Sequence, residues 1–499
     1  MRAAGSHRSP RHDDRSAAAA RIRAAAAFAV AAVLLPHVGS ATTTESAPGC
    51  SIVAVHVLPA IPLPSAGGRR EILLGGVSDL SPIGAVTTAP RNDSQEAPGP
   101  ALSLWAITDR GPNGTLETPA GKRRTLLDRD FIPAIVRLDI DAPDGRVDPR
   151  GDPRPARIGD ILSLTNASGR PLSGRPNGVG RDEPILDPKD QAAIPPDPDG
   201  IDSEGLVRLR DGSFWVAEEY RPSLLHVSRD GRATARFVPV GQSIPGAGMA
   251  IHEVLPAAYG ERKDNRGFEA LAVNADQSRL WLLLQSPLEY PAPKAAKVSG
   301  NVRLLAFDVA ARRPAAEYVY RLGDPGTEGF LSRGAAPADG KLCAIAAIDD
   351  ATLLVLEQAD GGLARLYSCS VADATDTLQR PADPATQAAA LEQIVDLPAA
   401  GIVPVAKRLV ADLAPLGPRM THDVFRNRAE DATPIKLEGM AILDARHVVI
   451  VNDNDFGVHG PAAKGDGERG GTPPRTCLWT VELATPLWPT TPNGAAPKP

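Results

Sequence analysis

The chain has 499 residues, of which 42% are hydrophobic, enough to bury a large core in one domain or in several. Its formal net charge is −6. An acidic surface offers no general attraction to nucleic acid or anionic lipid, so we expect no nucleic-acid partner and consider metal ions the better candidates.

The N-terminal residues have the pattern of a secretory signal. Arg21 and Arg23 precede the apolar run "AAAAFAVAAVLL", which ends at Leu35 and is followed by "PHVGSATT". We expect residues 1–40 to be removed near Ala41, which takes away six Arg and two Asp and leaves a net charge of about −10. No later apolar run is long enough for a membrane span. The mature protein should be secreted or periplasmic; a retained signal anchor is the alternative.

Four cysteines lie in the predicted mature chain, where an exported protein can oxidise them. Three pairings are possible in principle. We favour a disulfide between Cys343 and Cys369, which lie in neighbouring predicted strands, and one between Cys50 and Cys477, which would join the two ends of the chain. No CxxC or Cys/His spacing indicates zinc.

A repeated unit is the strongest signal in the chain, which is rich in Gly (46) and Pro (49) and almost lacks long helical patterns. The unit has an acidic or small residue, a short strand, a turn and a second apolar strand. Its copies are "EGLVRLRDGSFWVAEEY" from Glu204, "FEALAVNADQSRLWLLLQS" from Phe268, "KLCAIAAIDDATLLVLEQ" from Lys341, "LEGMAILDARHVVIVNDND" from Leu437, and a looser copy from Gly75.

Downstream, "SLLHVSRDGRATARFVPV" and "VRLLAFDVAARRPAAEYVYRL" supply two further strands, and four antiparallel strands per unit are typical of propeller blades. We predict an all-β, β-propeller-like fold of five to six four-stranded blades around a central channel. Five blades are visible, and a sixth is expected within 391–413. The strand "CSIVAVHVL" should pair with the C-terminal "TCLWTVEL" to close the ring. A pair of β-sandwiches is the alternative.

We interpret residues 50–488 as one domain and residues 489–499 as a disordered Pro-rich tail. The stretches 141–200 and 372–390 are predicted to be insertions within this domain, because neither separates two halves of different composition.

Acidic residues recur where the predicted inner strand of a blade begins and its second strand ends. Both ends lie on the same rim of the channel, so these carboxylates should converge. Dense oxygen ligands suit Ca²⁺. Capping of turns and pairing with Arg is the alternative. The candidate metal ligands are Asp79, Asp109, Asp202, Glu204, Glu269, Glu357, Glu438, Asp453 and Asp455.

Three arginines accompany these acids, in "TDRGPNG", "EEYRPS" and "NRGFEA". A guanidinium group matches phosphate or carboxylate oxygens, so Arg110, Arg221 and Arg266 are candidate substrate-binding residues. Internal salt bridges to the neighbouring acids are the alternative.

Four residues are candidates for acid/base catalysis. Glu218 or Glu219 would accept the proton of an attacking water, and His252 and His422 each precede a carboxylate that could orient the imidazole. A surface ion pair is the alternative for each histidine. The chain has no GxSxG, GxGxxG or Walker motif, so serine-hydrolase, dinucleotide and P-loop chemistry lack their usual motifs.

At these residues the chain resembles the phytase-like family, also described as an esterase-like phytase domain. The matching segments are "TDRGPNG", "DSEGLV", "WVAEEYRPSL", "NRGFEALA", "LEGMA" and "NDNDFG", in order from about residue 76 to 457. The resemblance implies a secreted or periplasmic β-propeller-like domain with phosphoester-cleaving activity. Two departures are Ala270, where other units have Gly, and the fourth unit, which has no leading Glu.

The resulting hypothesis is metal-assisted hydrolysis of a small-molecule phosphate ester. Rim carboxylates such as Glu204, Glu269, Glu438 and Asp453 would hold one or two Ca²⁺, which acidify a bound water. Two alternatives use the same acids: a Ca²⁺-dependent lactone or ester hydrolase, and a non-catalytic, Ca²⁺-stabilised binding propeller.

Overall fold

The computed structural model describes residues 49–65, 71–83, 101–142, 152–178, 182–323, 340–359, 363–380, 390–425, 435–458 and 473–489. Strands dominate these ranges and form five large sheets of four or five strands and two short hairpins. The five large sheets are the blades of a β-propeller, which confirms the predicted fold class. The predicted signal segment and the tail beyond residue 489 lie outside the described residues.

The strands of the N-terminal half, in chain order, are β1 (Cys50–Val57), β2 (Pro62–Leu63), β3 (Ile72–Leu73), β4 (Val77–Pro82), β5 (Ala101–Thr108), β6 (Asn113–Thr118), β7 (Gly121–Leu126), β8 (Ala134–Asp141), β9 (Arg154–Pro155), β10 (Arg157–Ser163), β11 (Ser203–Arg208), β12 (Phe214–Glu218), β13 (Ser223–Val227), β14 (Ala233–Pro239) and β15 (Ala250–Leu255).

Those of the C-terminal half are β16 (Phe268–Val273), β17 (Arg279–Leu284), β18 (Asn301–Asp308), β19 (Arg313–Arg321), β20 (Gly340–Ala347), β21 (Thr352–Ala359), β22 (Leu363–Ser370), β23 (Ala406–Asp412), β24 (Lys436–Ile442), β25 (His447–Asp453) and β26 (Cys477–Leu483).

Each blade is a mostly antiparallel sheet. Blade 1 contains β4, β5, β8 and β10; blade 2 contains β11 to β15; blade 3 contains β16 to β19; blade 4 contains β20 to β23; and blade 5 joins β24, β25 and β26 to the N-terminal β1 and β9. The inner strands β4, β11, β16, β20 and β24 pack side by side in this order, and β24 returns to β4. They therefore surround a central channel.

The ring closes by pairing the two ends of the domain. β1 runs antiparallel to β26, as the sequence predicted. In this register Cys50 lies opposite Leu483 and Cys477 lies opposite Val57, so the two thiols are at opposite ends of the strand pair. The expected disulfide between them is therefore wrong.

The other expected disulfide is also wrong. Cys343 is in β20 and Cys369 is in β22, and β21 lies between these two strands. All four thiols are free.

The predicted sixth blade is absent from the described residues. The segment 391–413 instead supplies two single 3₁₀ turns and β23, which is the outermost strand of blade 4. The stretch 141–200, which we predicted to be an insertion, is partly a blade strand, because it contains β10, the outermost strand of blade 1.

Helical structure is sparse. The α-helices in the described residues are α1 (Pro293–Val298) and α2 (Gly417–Phe425). The 3₁₀ turns are Ala257–Glu261, Leu391–Gln393, Pro398–Ala400, Ala414–Leu416 and Asp455–Gly457. Among the described residues, no helix is long and apolar enough to span a membrane.

The middle strands are apolar on both faces because each blade is covered by two neighbours. All five residues of β12, "FWVAE", are buried. Trp215 in β12 meets Phe307 of blade 3 edge to face, with ring centroids 5.7 Å apart. Each fully buried Leu or Phe contributes roughly 1.5–3 kcal/mol, so packing between blades holds the inner strands and the residues at their ends in place.

Candidate functional site

The inner strands share one irregularity near their first residues. Ser203 pairs with Glu218 and Gly205 pairs with Ala217, so Glu204 is left between two ladder positions. The same shift occurs in every blade, and a β-bulge of this kind re-aims the side chain of the unpaired residue. We call the five skipped residues the bulge ring: Ser78, Glu204, Glu269, Cys343 and Glu438.

Glycine after the bulge lets neighbouring inner strands approach closely. A Cβ added at Gly205 would lie 2.7 Å from the Cβ of Leu271 in blade 3. A Cβ added at Gly439 would lie 2.7 Å from the Cα of Asp79 in blade 1. Both distances are shorter than real Cβ contacts, so these two positions require glycine.

The site residues form two groups. The first, which we call the oxygen cluster, contains Asp202, Glu204 and Glu219. One oxygen of each lies within 4.8 Å of the others. Arg110 donates to Oδ2 of Asp202 and lies 3.9 Å from Oε2 of Glu219. The remaining oxygens, Oδ1 of Asp202 and Oε1 of Glu219, are buried and have no hydrogen-bond donor in the described part of the chain. Two buried carboxylates thus each keep one oxygen available.

The second group, which we call the thiol cluster, contains Glu269, Cys343 and Glu438. They belong to blades 3, 4 and 5, and their potential ligand atoms lie within 4.8 Å of one another. Glu269 is hydrogen-bonded to the side chain of Gln285. Bulge positions of three successive blades therefore converge on one point.

The two clusters act on each other electrostatically. Burial raises the pKa of Glu204 well above its usual range, and Asp202, Glu269, Glu219 and Glu438 raise it further. This mutual repulsion in a low-dielectric setting is relieved by bound protons or by a cation.

The pKa of Glu219 is also raised by burial and a neighbouring acid, but here arginines act in the opposite direction. Burial, and then Asp202, raise the pKa of Glu219 to about 8, while Arg110, Arg124 and Arg266 oppose the rise. A carboxyl group with a pKa near neutrality can exchange protons under physiological conditions.

Cationic side chains lie beside both clusters. Arg266 Nη1 is buried and has no acceptor among the described residues. Burial lowers the pKa of Lys263, and the nearby charges of Arg266, Lys341 and Arg124 lower it further. Arg124 itself is ion-paired with Asp264 at 3.0 Å. Glu289 opposes the lowering of the Lys263 pKa, and a bound anion would relieve the remaining repulsion among the cations.

Asp109, Asp453 and Asp455 lie next to the oxygen cluster. Burial and then the charges of Asp453 and Asp202 raise the pKa of Asp109 well above its usual range. Burial, with Asp455, raises the pKa of Asp453 to about 7. Lys436 bonds to both Asp453, at 3.2 Å, and Asp455. These two acids therefore have a cationic partner of their own.

Three of the predicted site acids have both oxygens engaged elsewhere. Asp79 accepts the backbone N–H groups of Leu80 and Leu206. Glu357 accepts bonds from Lys407, from the Tyr320 hydroxyl and from the backbone N–H of Gly323.

Glu218 is the third such acid. It accepts bonds from the Asn177 amide and the Ser223 hydroxyl, and from the backbone N–H groups of Arg221 and Asp202. The structure gives these three carboxylates structural partners in place of a metal or water.

The Arg221 guanidinium is also engaged. It donates to the carbonyl oxygens of Gln242, Ser243 and Gly178, at 2.7, 3.2 and 2.6 Å. Arg221 therefore joins loops through its two Nη atoms, whereas its Nε is buried without an acceptor among the described residues.

Neither histidine reaches the clusters. His252 is exposed on β15, the outermost strand of blade 2, and stacks on Phe237 with ring centroids 5.0 Å apart. His422 is exposed on α2, and its nearest acid is its neighbour Asp423, at 3.7 Å. The expected acid/base role does not fit these positions.

Sequence reasoning missed Cys343, Arg124, Lys263 and Lys341. Cys343 had a usable signal, because "KLCAIA" places it in the same repeat position as Glu269 in "GFEALA" and Glu438 in "KLEGMA". Lys341 had the same signal, because it precedes Leu342 in "KLCAIA" as Lys436 precedes Leu437 in "KLEGMA". Arg124 and Lys263 had none, because they lie outside the repeated unit.

Comparisons with known proteins identify a family for the chain. A family model described as "Phytase-like: Esterase-like activity of phytase" matches residues 97–456. An uncharacterized secreted protein of Arthroderma benhamiae is 26% identical over 244 residues, which cover 43% of this chain and 46% of that relative. The match thus spans about half the length of the relative.

Two solved structures show low similarity. A luciferin-regenerating enzyme matches 83% of this chain and 96% of its own at 9% identity and a TM-score of 0.29. Hydrazine synthase of Kuenenia stuttgartiensis matches 73% of this chain and 81% of its own at 10% identity and a TM-score of 0.27. Since the family model covers most of the residues, the chain belongs to the phytase-like family.

Proposed function

We propose that the chain is an exported hydrolase that cleaves a phosphate ester at the channel rim, with a divalent cation in the oxygen cluster. One observation carries the proposal: Asp202 and Glu219 each have a buried, unpartnered oxygen, and Arg266, which acts electrostatically on Glu219, has an Nη1 without an acceptor in the described residues. Export is supported by the signal-like N-terminus and by the secreted relative.

The donor set of the oxygen cluster suits Ca²⁺, because every potential ligand is a carboxylate oxygen. Asp202 and Glu204 would hold the ion, and Arg110 fixes Asp202 from the other side. A bound divalent cation would polarise a phosphoryl oxygen and lower the pKa of a bound water.

Glu219 is the better of the two adjacent candidates for the general base. Its Oε1 is buried without a donor in the described residues, whereas both oxygens of Glu218 are engaged. Burial and then Asp202 raise the pKa of Glu219 to about 8 in the metal-free cluster. Its free oxygen would take the proton of the attacking water.

The cations beside the clusters favour a phosphate substrate. Arg266 would bind phosphate oxygens through its free Nη1, and Arg124, Lys263 and Lys341 would add positive charge around it. A neutral lactone or ester does not need this concentration of positive charge, so these side chains support a phosphate ester as the substrate.

The proposal is tested by thermal unfolding of the purified protein in EDTA and in millimolar Ca²⁺, beside a panel of phosphomonoesters, phosphodiesters and lactones. Ca²⁺ should raise the midpoint and switch on phosphoester turnover. Asp202→Asn should remove both effects, and Arg266→Ala should weaken turnover while keeping the midpoint shift. Asp230→Asn is the control, because this carboxylate is exposed and pairs only weakly with Arg232.

Each other outcome overturns the proposal in a recognisable way. Turnover of lactones alone would identify a carbonyl-ester hydrolase. A midpoint shift without turnover would identify a binding propeller. No effect of Ca²⁺ on either measurement would mean that the oxygen cluster is stabilised by protons and by Arg110.

A further inference from the structure

The thiol cluster differs chemically from the oxygen cluster. It offers the sulfur of Cys343 together with carboxylate oxygens of Glu269 and Glu438. Ca²⁺ binds oxygen ligands, whereas a thiolate selects zinc and similar softer metals. The two clusters therefore do not suit the same ion.

The three side chains are placed by equivalent features of the fold. Each is the bulge residue of its inner strand, in blades 3, 4 and 5, and none of the three has a paired position in the ladder. Their ligand atoms lie within 4.8 Å of one another. Rigid strands thus present three potential ligands from three blades to a common point, which is the preorganisation a metal site needs.

Unpartnered buried atoms give a second, independent observation. Glu269 is 3% exposed and Cys343 is 2% exposed. Even so, Oε2 of Glu269 and Oε2 of Glu438 have no donor in the described residues. Bare carboxylate oxygens facing each other in a buried site are unfavourable unless a proton or a cation lies between them.

We propose that Glu269, Cys343 and Glu438 bind a thiophilic divalent cation of the Zn²⁺ type, with Cys343 as the thiolate ligand. Zinc commonly takes Cys, His, Asp and Glu ligands, and three protein ligands leave a fourth position open. This inference does not rest on phosphate-ester hydrolysis, because it concerns a different set of ligands and a different metal class.

The surrounding groups fit this role. Gln285 is hydrogen-bonded to Glu269, which fixes the carboxylate. The Cys343 thiol donates to Oε1 of Gln358, 3.9 Å from the sulfur, and a bound metal would take the place of this proton. The same Gln358 oxygen accepts the backbone N–H of Leu437, and its amide donates to the carbonyl oxygen of Ile435, so the side chain is fixed beside the cluster. Such outer partners orient metal ligands and tune their affinity.

One competing explanation needs no metal. Glu269 and Glu438 lie close enough to share a proton, and Cys343 would then remain a neutral thiol. Burial, and then Glu438 and Glu269, raise the pKa of the Cys343 thiol, while Lys341 and Arg266 oppose the rise. Only a metal would make the sulfur a thiolate at neutral pH, so a thiolate signal separates the two explanations.

The experiment is a titration of the reduced, chelator-treated protein with Co²⁺, followed by absorption spectroscopy. Thiolate coordination should produce a sulfur-to-cobalt charge-transfer band that saturates at one equivalent and disappears when Zn²⁺ is added. Cys343→Ser should abolish the band. Cys369→Ser is the matched control, because this buried thiol lies in the same blade but outside the cluster. Gln285→Ala should weaken Co²⁺ binding about 10–100-fold.

Absence of the band in the wild-type protein, or its survival in Cys343→Ser, would overturn the proposal. Glu269→Gln provides a second variant should Cys343→Ser fail to fold, and it should weaken Co²⁺ binding strongly. Asp202→Asn should leave the band intact while it removes the Ca²⁺ effect. A band without phosphoester turnover would support the metal site and contradict only the proposed hydrolysis. Turnover without a band would support the hydrolysis and contradict the metal site.

Discussion

The Asp79 carboxylate in blade 1 accepts the backbone N–H of Leu206 in blade 2 at 2.8 Å, and thereby joins two neighbouring inner strands. Its other oxygen accepts the N–H of Leu80, also at 2.8 Å. Asp79→Ala leaves both buried donors unsatisfied, so we expect a loss of about 2–4 kcal/mol in the free energy of unfolding. Urea unfolding measures this loss.

Asp79→Asn is the control for this prediction. Its amide keeps one acceptor oxygen of similar position, so it should lose less stability than the alanine variant. Equal losses in the two variants would contradict an acceptor role for this side chain. Neither variant should remove the Ca²⁺ effect, because the bonds of Asp79 connect blades and do not depend on a metal.

A second prediction concerns the buried Glu357–Lys407 pair. Lys407 donates to Glu357 and lies over the rings of Tyr320 and Tyr367, 4.5 and 4.1 Å from their centroids. Lys407→Met leaves Glu357 buried without its cation, and we expect a loss of about 3–5 kcal/mol. Denaturant unfolding of the single variant measures it.

The double variant Glu357→Gln/Lys407→Met tests the mechanism. Removing both charges should recover much of the stability lost in Lys407→Met, because the uncompensated charge is gone. A double variant no more stable than the single one would show that packing of the lysine, and not its charge, accounts for the loss.

The third prediction is a pH dependence of stability from His56. Its Nε2 accepts the backbone N–H of Asp141 at 3.2 Å, and it is 1% exposed. Burial lowers the pKa of His56 from 6.5 to about 4, although Asp141 opposes the shift. A depressed histidine pKa contributes stability above pH 6.5 that is lost as the pH falls towards 4, by about 2 kcal/mol at pH 5.

His56→Gln should therefore lose less stability than the wild type between pH 7 and pH 5, as urea midpoints would show. His447 supplies a control of opposite sign. A hydrogen bond to Asp444 raises the pKa of His447, so its contribution is present at low pH and lost as the pH rises through the folded-state value. His447→Gln should lower stability at pH 5 more than at pH 8.

The repeat made the blades predictable, because an inner strand, a turn and a second strand recur with the same spacing of apolar residues. It also aligned Glu204, Glu269 and Glu438, each of which is the bulge residue of its inner strand. The partners of each acid were not predictable. Glu218 and Glu219 are adjacent in sequence, yet one is fully hydrogen-bonded and the other keeps an oxygen free. Arg221 and Ser223, close in sequence, supply two of the donors to Glu218, but the Asn177 amide comes from a loop that the local pattern does not place there.

The failed predictions share a physical cause. Disulfide pairing depends on strand register, and the register of β1 with β26 separates Cys50 from Cys477. The sixth blade failed because β23 pairs with β22 after a long connection, which the local pattern does not reveal. Non-local pairing is the part of a fold that short sequence windows specify least.

The fourth prediction concerns the close approach of the inner strands. Alanine at Gly205 would place a Cβ 2.7 Å from Leu271 Cβ and 2.8 Å from Leu271 N. We expect Gly205→Ala to destabilise the protein by roughly 1–3 kcal/mol, measured by denaturant unfolding. Gly417→Ala is the control, because no atom lies within 4 Å of a Cβ there and the residue is in α2. Equal effects of the two variants would contradict the steric account.

The last prediction is that Ca²⁺ reverses the effect of the Glu204→Gln substitution on the thermal midpoint. Burial, with the charges of Asp202, Glu269, Glu219 and Glu438, raises its pKa well above the usual range. In EDTA, Glu204→Gln removes a buried acid from this repulsion, so its thermal midpoint should lie above that of the wild type.

In saturating Ca²⁺ the order should reverse, because the wild type gains about 2.7 kcal/mol when the ion is at 100 times its dissociation constant and the variant gains less. Asp230→Asn should follow the wild type in both conditions, since that carboxylate is exposed in the turn between β13 and β14 and is not a member of the cluster. A Glu204→Gln midpoint below the wild type in EDTA would mean that Glu204 stabilises the metal-free fold. Its carboxyl would then be a structural hydrogen-bonding group, and the ion would have to bind through the other acids of the rim.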